Sequence, residues 1–115
     1  EERLRLAKEA GGLGIHDYDV ATGRIEWDAR VRELWGVDAD ATITYATFLA
    51  GLHPADREST ERAMQQALDP DGNARYYAEY RVINARDGTV RWIAATGQVA
   101  FADGRAVRLV GTVQD

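Results

Sequence analysis

At 115 residues, with no cysteine and a formal net charge of −5 from 14 basic and 19 acidic side chains, the chain has room for one domain. It has no means to form a disulfide framework, a thiolate metal site or a cysteine nucleophile. Its acidic balance argues against a nucleic-acid partner, since neutralising phosphates takes a basic face.

The composition, 45% hydrophobic and 29% charged, is that of a globular domain. No apolar run nears the ~20 residues that span a bilayer, and no secretory signal pattern opens the chain, so this segment is expected to make no membrane contact. The missing cysteines fit a cytoplasmic setting, with any membrane anchor of the parent lying elsewhere. An opening of Glu1-Glu2-Arg3 without Met leads us to expect a piece of a longer protein.

Residues 1–10 read as a helix of strong helix formers stopped by Gly11-Gly12. Leu4, Leu6, Ala7 and Ala10 give it only a loose apolar stripe, so it needs a surface to pack on. We expect a flanking linker over 1–12 and a domain over 13–115. Residues 13–20 and 24–28 read as two short strands around Ala21-Thr22-Gly23, with Asp19 bonding the amides of the turn. Residues 29–35 form a short helix capped by Asp28 and ended by Gly36, and 45–52 a further helical piece.

His53-Pro54 opens the longest helix, 55–68. Pro54 suits the first helical position, and Asp56 and Glu58 suit the positive end of the dipole. Its inward stripe is Thr60, Ala63, Met64, Ala67 and Leu68, and Asp69-Pro70-Asp71-Gly72 ends it. Three strands follow, 75–84, 89–102 and 106–114, rich in Val, Ile, Tyr, Trp and Thr. Asp87-Gly88 and Asp103-Gly104 separate them as hairpin turns. Two strands, a helical block and a three-strand meander predict an α+β domain, a five-stranded antiparallel sheet with helices on one face.

That order is joined by four sequence words. They are Gly14-Ile15-His16-Asp17-Tyr18-Asp19 with Thr22-Gly23-Arg24-Ile25-Glu26-Trp27; Leu52-His53-Pro54-Ala55-Asp56-Arg57; Glu79-Tyr80-Arg81-Val82 with Asp87-Gly88 and Arg91-Trp92-Ile93; and Val110-Gly111-Thr112 with Asp115. Together they resemble the PAS fold, in the subfamily common in bacterial sensor histidine kinases, over residues 13–115. The resemblance implies a sensory module, without catalysis of its own, in a multidomain signalling protein. It would bind a ligand, form a homodimer and act on an output domain of the same chain. A histidine kinase of a two-component phosphorelay is the first expectation for that output, and a diguanylate cyclase or phosphodiesterase the alternative. A protein–protein scaffold with no ligand is the rival reading. Asp115 would begin the motif through which the signal leaves.

Period-two alternation places His16, Tyr18, Tyr80, Val82, Ile93, Ala95, Leu109, Gly111 and Val113 on the face toward the helices. With Leu34, Phe48, Met64 and Leu68 from the helical block, these are the candidates to line a ligand cavity or to fill it. Glu79, Arg81, Trp92, Val110 and Thr112 fall on the opposite face. There Trp92 and Val110 make a patch expected to pack on Leu4 and Leu6 or on a second protomer.

His53 reads as a helix-entry residue bonding local backbone, and His16 as a ligand contact or a satisfied core histidine. Asp17, Asp19, Glu26 and Asp28 lack the looped spacing of a calcium site and read as solvated faces and caps. Gly11-Gly12-Leu13-Gly14 precedes a strand, so it is no phosphate loop, and no metal site is expected. Flavin-binding relatives form an adduct through a cysteine and carry a Gln on the last strand, where this chain has Val113. Haem-binding relatives place the iron ligand on the long helix, and 55–68 holds no His. The expected cofactor is therefore none, or an unidentified small organic ligand.

Overall fold

The computed structural model of the chain describes residues 13–115. The expected helix over 1–10, with Leu4 and Leu6, lies outside the described residues. Strands β1 (Gly14–Asp19) and β2 (Arg24–Trp27) pair antiparallel, with His16 opposite Trp27 and Tyr18 opposite Ile25. Their turn is closed as its residue types require. Asp19 Oδ1 accepts from the Ala21 and Thr22 amides at 3.1 and 3.3 Å, and Gly23 takes a left-handed φ of 77°, which costs glycine nothing.

Helix α1 (Ala29–Trp35) starts at Asp28, whose carboxylate accepts from Val31 N at 3.1 Å and from Ile15 N at 3.0 Å. One side chain thus caps the helix and fixes it to β1. Helix α2 (Tyr45–Ala50) is capped by Thr44, and α3 (Pro54–Leu68) by His53, whose Nδ1 accepts from Ala55 N at 3.1 Å. His53 is the helix-entry residue the sequence suggested. The last three strands are β4 (Arg75–Ile83), β5 (Val90–Ala102) and β6 (Arg105–Gln114).

The sheet has six strands rather than five, in the order β3-β2-β1-β6-β5-β4. The extra strand, β3, is only Ile43–Thr44, paired with β2 through Ile25↔Ile43 and Arg24↔Thr44. Two residues carry no alternation to detect, and Ile43 is held there by burial. The second helical piece ends at Ala50, not 52, because Leu52 leaves it to bridge Val82 on β4.

Every sheet pairing is antiparallel, and the helices pack on one face. Tyr80 and Ile93 lie opposite one another on β4 and β5, and both are buried against the helical block with Val82, Ala95, Leu109 and Val113. From α3, Thr60, Met64 and Ala67 are buried, while Ala63 and Leu68 are partly so.

Candidate functional site

Between the inner face of the sheet and the helices lies a cavity of about 20 Å³, room for about one water molecule. It is small because aromatic rings occupy the centre. Trp35 packs on Trp27, Phe48 and Tyr80 with centroids 4.6, 6.0 and 6.1 Å away. Its indole Nε1 donates to Phe48 O at 3.1 Å. Gly51 permits this placement, since a Cβ there would lie 2.3 Å from Trp35 Cδ1. Tyr45 stacks on Tyr18 at 5.5 Å and closes another side.

Of the sequence candidates, His16, Tyr18, Phe48, Met64, Tyr80 and Val113 line this cavity. Leu34, Val82, Ile93, Ala95 and Leu109 are buried in the same core but do not line it, and Leu68 is only partly buried. The rings fill the middle, so these aliphatic residues touch other side chains rather than open space. Sequence reasoning missed Ile25, Trp27, Trp35, Tyr45 and Tyr76 as wall residues. Tyr76 shares strand parity with Tyr80, a signal that was available. The orientations of Trp35 and Tyr45 depend on how short helices dock, which no local pattern states.

The polar groups of the site are neutral ones. Burial pushes the Tyr45 hydroxyl up to about 12 and raises those of Tyr76 and Tyr80 as well. Burial also holds the His16 imidazole below its usual value, against the opposing effects of the Thr96 carbonyl and Asp17. His16 Nε2 lies 2.6 Å from Thr96 O; a carbonyl only accepts, so Nε2 carries the proton. The buried hydroxyls of Tyr76 and Thr60 have no partner among the described residues, and a water in the cavity would suit the first. In this arrangement the cavity is smaller than a macrocycle or a tricyclic cofactor. The chain also supplies neither a cysteine for a flavin adduct nor a histidine on α3 for haem iron.

Three of the four carboxylates near the first hairpin are committed elsewhere, and Glu26 is exposed on β2. Asp17 accepts from Arg108 Nε at 2.8 Å, Asp19 serves its turn and Asp28 its helix. Among the described residues no cluster of three His, Cys, Asp or Glu side chains could hold a metal.

The outer face presents Trp92 at 61% exposure, with Tyr77, Val90 and Val110 also open to solvent. Arg81 lies over the Trp92 ring at 5.0 Å and is itself fixed by Asp56. That carboxylate accepts from Arg81 Nε at 2.9 Å, from its terminal nitrogen at 2.8 Å and from its backbone amide at 2.8 Å. The sequence reading gave Asp56 a dipole role alone, and its fork onto Arg81 was not foreseen. At the end of β6, Asp115 accepts from Arg91 at 2.7 Å and lies 3.7 Å from Arg30.

A six-stranded antiparallel sheet with helices packed on one face and a small internal cavity narrows the choice of family. A family model described as the PAS fold matches residues 24–113. The chain belongs to the PAS family.

Similar proteins agree. The probable diguanylate cyclase DgcE of Escherichia coli K12 is 28% identical over 99% of this chain and 10% of its own length. Sensor protein FixL of Bradyrhizobium diazoefficiens is 30% identical over 99% of this chain and 22% of its own length. The PAS domain thus spans about a tenth to a fifth of these relatives. A sensory box histidine kinase/response regulator from Burkholderia thailandensis superposes with a TM-score of 0.80 at 27% identity, covering 98% of this chain and 83% of that one. The segment is a sensory PAS domain, homologous to those of histidine kinases, and not a catalytic one. No helix among the described residues is long and apolar enough to cross a membrane.

Proposed function

We propose that this PAS domain is the input and dimerisation module of a longer signalling protein, joining a second copy of itself through the outer face of the sheet. One observation carries the reading: Trp92, Tyr77 and Val110 stand exposed on a face with no helix over it among the described residues. They are spread along the face, with Trp92 beside Arg81, Tyr77 beside Thr96 and Val110 beside Gln98, and exposed aromatic side chains so placed suit anchoring a partner. Its rim holds both signs, Arg75, Glu79 and Arg81 on β4 with Asp17 and Arg108 toward β1, so a second copy would meet charges of either sign there.

The output we infer is a sensor histidine kinase, supported by the likeness to FixL and to the Burkholderia protein. The likeness to DgcE favours a diguanylate cyclase as the second reading. The cavity, sized for one water in this arrangement, supports a signal that enters as a small molecule able to displace a ring, or as a partner protein. Asp115, clasped by Arg91, is the proposed exit.

Trp92→Glu tests the central claim. Sedimentation should show the dimer dissociation constant raised by roughly tenfold or more, the scale of losing an aromatic anchor. Unchanged dimerisation at micromolar protein overturns the outer-face reading. In the full-length parent, Asp115→Ala should leave the domain folded and uncouple output from input. Intact regulation removes the exit assignment.

A further inference from the structure

Besides a bulge between Ala100 and Phe101, the ladder between β5 and β6 is interrupted nearer its middle. Ala95 pairs with Val113 and Gln98 with Val110, and the residues between them, Thr96 and Gly97 against Gly111 and Thr112, are unpaired although the register is unchanged. The Thr96 carbonyl has left the plane of the sheet. A Cβ built on Gly111, an inner-face position, would lie 1.9 Å from Thr96 O, so the oxygen stands where a side chain would otherwise be. His16, directly opposite Gly111 on β1, reaches over that bare glycine and donates Nε2–H to Thr96 O at 2.6 Å. The Thr112 amide is left without the ladder bond. It donates instead to Thr96 Oγ1 at 3.2 Å, and the two threonine hydroxyls meet at 2.7 Å. His16 lines the cavity on one side of the sheet; Thr96 and Thr112 belong to the other.

We propose that His16 couples the interior to the outer face: its bond to the Thr96 carbonyl holds the ladder open and so places the Thr96 hydroxyl on the Thr112 amide. An event in the cavity that turns the imidazole releases the carbonyl toward β6. The hydroxyl pair on the surface beside Val110 is then remade. Gly111 is required because any side chain there takes the space of the turned carbonyl, and backbone cannot yield as a flexible side chain can. His16 acts here as a positioning residue. The effect on dimerisation rests on the outer-face reading above; the bond arrangement does not.

Amide hydrogen exchange at Thr112, read by NMR on the intact chain, tests the coupling. His16→Leu should raise Thr112 protection about threefold to tenfold, the range for one net hydrogen bond, because the freed Thr96 carbonyl closes the ladder onto that amide in place of the exposed hydroxyl. His16→Gln, whose amide nitrogen has similar reach, should bring it back to within about twofold of the parent protein. Thr96→Val should lower protection where His16 still holds the carbonyl away and leave it unchanged in the His16→Leu background, since coupled residues are non-additive. Should His16→Leu fail to fold, Gly111→Ala takes the space of the turned carbonyl, drives it back toward β6 and is expected to give the same gain. Thr112 protection unchanged or lowered in His16→Leu, or a Thr96→Val loss that persists in the double variant, overturns the proposal. Repeating the measurement with Trp92→Glu keeps the two readings apart, because the His16 effect should persist whether or not the protein self-associates.

Discussion

Trp92 and Ile93 are adjacent on one strand, yet the first is 61% exposed and the second 1%. The inner face of β4, β5 and β6 is an aromatic and aliphatic core; the outer face carries apolar side chains that the fold itself does not use. A fully buried aromatic side chain contributes up to roughly 4–6 kcal/mol by area, and on the inner face that contribution goes into folding. On the outer face the same chemistry stays available for association. A core residue is explained by its neighbours within the chain, whereas Trp92 meets the Arg81 guanidinium over its ring and otherwise stands open on the face proposed for a partner.

This contrast is most severely tested at Trp35. Trp35→Ala should cost about 3–5 kcal/mol, read by urea denaturation, and a loss under 1 kcal/mol would mean that the inner face is not the seat of stability. A smaller effect is expected where the faces are bridged, at Asp56. The hydrogen bonds from Arg81 hold its carboxyl down at about 2, against an ordinary 3.8. The unfolded chain therefore takes up this proton first as pH falls. The stabilisation is complete above 3.8 and fades as pH drops toward about 2. Asp56→Asn should weaken the fold at neutral pH and flatten that part of the acid limb in stability measured against pH; an unchanged limb would remove the bridge. Smallest is the effect of Trp92→Glu on monomer stability, expected within about 0.5 kcal/mol, while its association falls. A large loss of stability there would mean that the outer face is also structural.

The architecture was legible because its signals are local. Asp19 and Gly23 announce the first turn, Asp28 and Gly36 delimit α1, and alternation through Tyr80, Val82, Ile93 and Ala95 sorts the two faces. The site was less so. Trp35 belongs to the cavity only through the docking angle of a seven-residue helix, and Asp56 meets Arg81 across 25 positions. β3 is too short to carry a period. The break at Thr96 is hidden differently, since the surrounding residues read as an uninterrupted strand and only the missing side chain at Gly111 marks the place. Long-range partners and backbone reorientations leave no periodic trace, whereas caps, turns and faces do.

The contact of Trp35 with Gly51 has a consequence for design. One indole, admitted by one glycine, decides how much empty volume the domain encloses. Trimming it to a smaller ring would leave an aromatic-walled hole beside the single-water cavity, and such holes take up benzene-like solutes. The domain would then take up a compound chosen by the experimenter, with the size of the excised ring setting what it accepts.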